Sequence, residues 1–425
     1  MSEILFTNCK ITDGRLRYHV NKCVGVSNGK IDYVGDYCGG SEREYDCCGG
    51  ILLPAFCNAH AHSAMTLLRG IGEDLTLRRW LDERIFPAEA KLTDADCYAG
   101  TLLACAEMLK YGVASCSDMY FFGEAAVKAY EEAGVKVNFA PAITCFDNSS
   151  FEELPVFEEY EKLLDIASGS RLVKVDLGVH SVYAVTGKVI EGASRYAADN
   201  NLGMHVHVSE TAKENADCYA EHGLSPVAYL EKLGAFSVHA QAAHCVWLSE
   251  NDREILRRNR VTVVSCPESN LKLGSGICDY TALRNSGVIF AVATDGAASN
   301  NNLNMLKEAR LAALLAKGST NDASAFLAAD ALWCAYRGGY IAQGRYDSGY
   351  LNVGMSADLT VFPDNGVNMT PNGDIPTSLL YSSDGIADMT MVDGKILYDR
   401  GSYATIDIEK VMADAVAVRS KIDGR

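Results

Sequence analysis

From about residue 51 the chain alternates short, β-branched apolar runs with longer stretches in which apolar residues recur every three or four positions. Eight runs read as strands: Ile51–Phe56, Val113–Cys116, Val135–Ala140, Val173–Val179, Leu202–Val208, Gln241–Cys245, Val261–Cys266 and Val288–Ala293. The stretches between them read as amphipathic helices. Asp94–Tyr111 has Thr93 and Asp96 in capping-box positions and Gly112 as a stop. Ser249 and Asp252 repeat the box ahead of Arg253–Asn259. Eight strand–helix units in succession predict an α/β fold, a (β/α)8 barrel rather than an open sheet.

The two ends follow a different period. Ile4–Thr7, Val24–Ser27 and Ile31–Val34 alternate like strands, with Asn28-Gly29 as a turn, and Asp358–Phe362, Met389–Val392 and Lys395–Tyr398 do the same around Asp393-Gly394. The economical arrangement is a small composite β-sandwich from residues 1–53 and 353–425, beside a barrel spanning residues 54–352. No repeat interrupts this plan.

Composition narrows the function. In 425 residues, 55 acidic against 38 basic side chains leave a net charge of −17, which argues against a nucleic-acid partner. No apolar run reaches the ~18 residues of a membrane helix, so no membrane partner is expected. The opening Met1-Ser2-Glu3-Ile4 lacks the basic and apolar regions of an export signal, and the 15 cysteines form no C-x-x-C pair. A reduced, cytoplasmic protein is expected, with Cys105, Cys116, Cys145 and Cys266 as small core residues.

Histidine carries the chemistry. With 9 in the chain, a chance H-x-H is expected about 0.2 times, yet two occur, His60-Ala61-His62 and His205-Val206-His207. The first follows the first barrel strand and the second ends the fifth; His244 ends the sixth and Asp295 the eighth. Strand ends of a (β/α)8 barrel share one face, so these groups converge there. Imidazoles with one carboxylate suit a borderline divalent metal such as zinc. His205 lies behind His207, farther from the strand end, whereas His19, His222 and His239 read as ordinary polar residues. Glu210, three residues after His207, leaves the strand end where a carboxylate could shuttle a proton.

The segments Pro54–His62, His207–Glu210, Ala243-His244-Cys245 and Thr294–Asn300 resemble the amidohydrolase superfamily, and within it the 5′-methylthioadenosine/S-adenosylhomocysteine deaminases. Gly354–Leu359 and Val392-Asp393-Gly394 extend the resemblance to the terminal strands. It implies a metal held by His60, His62, His207 and Asp295, with Glu210 as proton shuttle and His244 orienting the attacking water. Asp295 would accept a proton from that water. His180, not a lysine, follows strand four, which implies one metal ion: zinc, with Fe2+ or Mn2+ as alternatives. Glu89 in Phe86-Pro87-Ala88-Glu89 matches the glutamate that grips ribose hydroxyls; Trp80 and His180 match further nucleoside contacts.

Residues 141–170 contain no arginine to hold an amino-acid carboxylate. The expected substrate is therefore 5′-methylthioadenosine, 5′-deoxyadenosine or adenosine ahead of S-adenosylhomocysteine, taken by a homo-oligomer (dimer or tetramer). The rival readings are deamination of a free base or pterin such as guanine or 8-oxoguanine, triazine hydrolysis, and a metal-free scaffold.

Overall fold

The apolar run beginning at Ile51 serves two sheets. In a computed structural model describing residues 2–12, 18–37, 39–371 and 373–424, every residue from Ile51 to Ala61 is buried, but the run is two strands. In chain order, β1 (Ser2–Thr12), β2 (Tyr18–Ser27), β3 (Lys30–Gly35), β4 (Ser41–Asp46) and β5 (Ile51–Pro54) form one sheet. The barrel begins only at β6 (Phe56–Ala61). This corrects the first predicted strand, Ile51–Phe56. Pro54 has no N–H to continue a ladder, and the Ala55 N–H turns to Asp358 O, 2.9 Å away, so the chain changes sheets at this point.

The barrel continues through β7 (Val113–Tyr120), β8 (Lys136–Ile143), β9 (Val173–Val179), β10 (Gly203–Val208), β11 (Ala240–His244), β12 (Thr262–Ser265) and β13 (Phe290–Val292). Each strand pairs in parallel with the next, from β6 to β13. Parallel strands buried on both faces explain the near-continuous apolar runs. Asn58 closes the ring. Its side chain donates to Thr294 Oγ1 at 2.8 Å and accepts the Thr294 N–H at 3.0 Å, while the Asp295 N–H donates to His60 O at 3.0 Å. The helix Asp94–Lys110 carries the expected capping box of Thr93 and Asp96, and Ser249 with Asp252 caps Glu250–Arg258. Cys105, Cys116, Cys145 and Cys266 are core residues.

The remaining strands, β14 (Leu359–Phe362), β15 (Met389–Val392), β16 (Lys395–Asp399) and β17 (Ser402–Tyr403), join those of the N-terminal end in one nine-stranded sheet. The link is β5 pairing antiparallel with β14, Leu52 opposite Val361. Both hairpin turns have positive φ at both central residues, 52° and 73° at Asn28-Gly29, 49° and 81° at Asp393-Gly394. The turns abut. A Cβ at Gly394 would lie 2.8 Å from Gly29 Cα, so neither chain could approach with a larger residue there.

Sheet and barrel are joined by a buried cation. Lys136, at the start of β8, donates to Asp358 at 2.7 and 2.8 Å and to Ser356 Oγ at 2.9 Å, with Asp393 Oδ1 at 3.3 Å. Replacing Lys136 by Met should leave the Asp358 carboxylate buried without its counter-charge, a loss expected at about 3–5 kcal/mol. Denaturant titration followed by circular dichroism reads the shift in midpoint.

Candidate active site and metal centre

The ends of β6, β10, β11 and β13 on one barrel face contribute to a single cluster. His60 lies inside β6 rather than after it, because the strand runs to Ala61, and His62 follows directly. Residues i and i+2 of a strand share a face, so both rings point inward. The Nε2 atoms of His62 and His207 are 3.4 Å apart, and Asp295 Oδ1 lies 3.2 Å from His62 Nε2 and 3.4 Å from His60 Nε2. Ligand atoms of His60, His62 and His207 lie within 4.8 Å of one another, as do those of His60, His244 and Asp295. His244 and Asp295 adopt left-handed backbone conformations, φ 70° and 61°. Non-glycine residues there cost of order 1 kcal/mol or more each, strain of the kind that collects at functional sites.

The opposite edge of each ring is anchored. His62 Nδ1 donates to Met119 O at 2.5 Å and His207 Nδ1 to His180 O at 2.6 Å. A carbonyl can only accept, so each Nδ1 carries the proton; in the neutral ring this leaves Nε2 its lone pair, facing the centre. His60 Nδ1 meets His205 Nε2 at 2.8 Å, which places His205 behind the cluster. The buried His60 Nε2 has no hydrogen-bond partner. Three inward imidazole nitrogens, one of them orphaned, and a carboxylate fit a borderline divalent cation.

Burial opposes charge on every ring, yet at His62 the Asp295 carboxylate outweighs it and raises the imidazole to about 9, so that ring must give up a proton to any cation that binds. Burial holds the His60 imidazole down to about 4, and His207 well below its ordinary range, so both are neutral as ligands must be. For Asp295, burial favours the acid, but the adjacent His60 and His62 rings outweigh it and keep the carboxyl well below the usual range. Its Oδ2 accepts from Ser269 Oγ at 2.6 Å and Ser299 Oγ at 3.1 Å, and its Oδ1 from the Gly296 N–H at 2.8 Å.

Beside the cluster, Glu210 Oε2 lies 3.8 Å from His244 Nε2, and Glu210 Oε1 accepts from Ser275 Oγ at 3.3 Å. Burial pushes the Glu210 carboxyl above its ordinary value, toward the protonated acid. His244 Nδ1 donates to Asn270 Oδ1 at 2.9 Å, which fixes its tautomer and leaves Nε2 as an acceptor. The cluster floors a cavity of about 350 Å³. Trp80, Glu89 and His180 line it, with Glu89 Oε1 accepting from Tyr120 OH at 2.8 Å. Leu77–Trp80, Leu81–Ile85 and Phe86–Glu89 are successive α, π and α turns that form one wall.

The structure thus gathers His60, His62, His207, His244, Glu210 and Asp295 at one point and Trp80, Glu89 and His180 around the cavity above it. His222 instead stacks on Tyr229, and His239 donates to Ala342 O. Sequence reasoning passed over Ser269, Asn270, Ser275, Tyr120 and Glu214. The run Glu268-Ser269-Asn270, polar and directly beyond a barrel strand, was the available signal; nothing local marks Tyr120. It also passed over Arg78, which lines the cavity from the segment before Trp80.

The amidohydrolase family profile matches residues 51–397. The 5′-deoxyadenosine deaminase of Methanobrevibacter smithii is 37% identical over 398 residues, 92% of this chain and 91% of that one. The 5-methylthioadenosine/S-adenosylhomocysteine deaminase of Pelotomaculum thermopropionicum is 37% identical over 374 residues, 88% and 86% of the two chains. An adenosine deaminase structure from Xanthomonas campestris with bound zinc superposes with a TM-score of 0.95 at 31% identity, covering 100% of this chain and 99% of the other. The fold and the cluster at its strand ends are those of a metal-dependent hydrolase. The chain belongs to the amidohydrolase family.

Burial pushes the Glu89 carboxyl up to about 7. The folded protein therefore holds a proton between about pH 4.5 and 7 that the unfolded chain releases, and stability falls as pH rises through that window. Glu89→Gln keeps an acceptor for Tyr120 and should remove this contribution, gaining about 1–3 kcal/mol at pH 8 relative to pH 4.5. Urea titrations of both proteins at the two pH values measure it.

Proposed function

We propose that the protein is a hydrolytic deaminase of adenosine-type nucleosides, replacing the 6-amino group by oxygen and releasing ammonia. We further propose that one zinc ion per chain is held by His60, His62, His207 and Asp295. The observation that carries the reading is the Glu210 carboxyl, 3.8 Å from His244 over the His and Asp cluster at the floor of the cavity. The names of the Methanobrevibacter and Pelotomaculum relatives and of the Xanthomonas structure support the substrate class.

Such an ion, when bound, supplies Lewis acidity that makes water a nucleophile near neutral pH. The chain's own groups handle orientation and protons. His244 Nε2 accepts a hydrogen bond from the attacking water, its lone pair secured by the Nδ1–H bond to Asn270. Ionised Asp295 accepts a proton from that water. Glu210, raised by burial, donates a proton to the ring nitrogen beside the amino-bearing carbon as the water oxygen adds to that carbon. The carbon is then tetrahedral. Glu210, ionised by that transfer, takes the proton of the added hydroxyl and passes it to the amine, which leaves as ammonia as the carbon–oxygen double bond forms. The proton held by Asp295 then restores the acid form of Glu210.

Glu89 on the cavity wall offers a carboxylate to the ribose hydroxyls, which favours a nucleoside over the free-base reading. The Nε of Arg78 bonds to Asp82 Oδ2 at 2.6 Å in an exposed i,i+4 pair. Around it, Leu77, Leu81, Phe86, Phe121 and Phe146 make an apolar wall suited to a neutral 5′ group.

Ammonia release from adenosine, 5′-deoxyadenosine, 5′-methylthioadenosine, S-adenosylhomocysteine, adenine and guanine tests the substrate class. The 5′-deoxy and 5′-methylthio nucleosides should lead, and a lead for either base would remove Glu89 from the site. Elemental analysis should find one divalent ion per chain in the wild type and little in His62→Ala. Glu210→Gln should retain the metal and lose ~10²–10⁴ in kcat.

A further inference from the structure

Glu214 is buried, belongs to no part of the chemistry described above, and bonds in an unusual direction. It occupies the third position of the helix Ala212–His222, whose N-cap is Thr211. A glutamate there ordinarily reaches back to the N–H of the N-cap residue, completing a capping box. Half the box is present, since Thr211 Oγ1 accepts the Glu214 N–H at 3.1 Å. The other half is diverted. The Glu214 carboxylate passes Thr211 and accepts the N–H of Ser209 at 2.9 Å and of Glu210 at 2.7 Å.

These two N–H groups lie where β10 has ended and Ser209 bends into the left-handed region, φ 50°. The bend turns Glu210 off the strand line toward His244. A non-glycine residue stays in that conformation only if its surroundings impose it. The two bonds use separate oxygens, Oε1 for Ser209 and Oε2 for Glu210, so an amide in the same position would set its NH2 against one of the two N–H groups.

We propose that Glu214 is a positioning residue for the deamination: by clamping the Ser209 and Glu210 amides it fixes the main chain from which the Glu210 carboxyl reaches the reacting centre. This rests on the role proposed above for Glu210.

Glu214→Gln is nearly isosteric but sets an NH2 against one backbone N–H. It should lower kcat at least tenfold while KM for 5′-deoxyadenosine stays within about twofold and the metal content is unchanged. In a Glu210→Gln background the same change should add little, because both act through one group. Thr211→Ala removes the ordinary helix cap and should lower the melting temperature without slowing turnover. Amide hydrogen exchange at Ser209 and Glu210 reads the clamp without any substrate, and both should lose protection in Glu214→Gln. Unchanged exchange, a kcat within twofold of wild type, or a full additional loss on top of Glu210→Gln would each overturn the proposal. Absence of deamination by the wild type would overturn the role of Glu210, while the exchange measurement would still decide the clamp.

Discussion

The seam where the last barrel strand meets the first is the constraint on which the site depends. Asp295 and His60 stand far apart in the chain, yet the hydrogen bond from the Asp295 N–H to His60 O fixes their backbones side by side. With the Asn58 bonds to Thr294, this closes the cylinder and sets Asp295 Oδ1 within 3.4 Å of His60 Nε2 and 3.2 Å of His62 Nε2. An open sheet of the same eight strands would leave these groups on opposite edges. Closure of the barrel and assembly of the cluster are one event.

Around the seam, the protein repeats one device: a buried acceptor fixes the orientation of a group that must face the centre. Carbonyl oxygens of Met119 and His180 hold the rings of His62 and His207, and Asn270 holds that of His244. Glu308 works the same way behind the seventh and eighth strands, accepting from Asn300 Nδ2 at 2.5 Å and the Glu268 N–H at 3.1 Å. Burial drives the Glu308 carboxyl well above its ordinary range. The rigidity needed for metal and proton chemistry comes from groups that never touch the reacting atoms.

Much of this was legible in the sequence because it is periodic. Eight apolar runs, two H-x-H pairs and a glutamate three residues past the second pair locate the barrel, its working face and the central residues. The first strand was misplaced because Ile51–Cys57 is apolar throughout and only Pro54 marks the change of sheet. The strand Ser41–Asp46 escaped notice because, apart from Tyr45, its side chains are polar; it pairs with β1 in parallel at the sheet margin. Ser275 and Glu214 were illegible for another reason. Their roles come from contacts with residues on other elements or from a bond that overshoots the nearest partner, and spacing along the chain carries neither.

The terminal sheet has a consequence for how the chain is made. Strands β1 to β5 are synthesised first, but the core they cover is shared with Leu359, Val361, Met389 and Met391 near the other end. The β5 edge has no antiparallel neighbour until β14 leaves the ribosome, about 300 residues later. At ~5–20 residues per second the nascent chain spends roughly 15–60 s with an unpaired strand edge and a half-covered apolar face. During translation the barrel's own first strand, continuous with that edge, is tethered to an aggregation-prone segment. A cell producing this protein must shield its first fifty residues for most of the time it takes to make the rest.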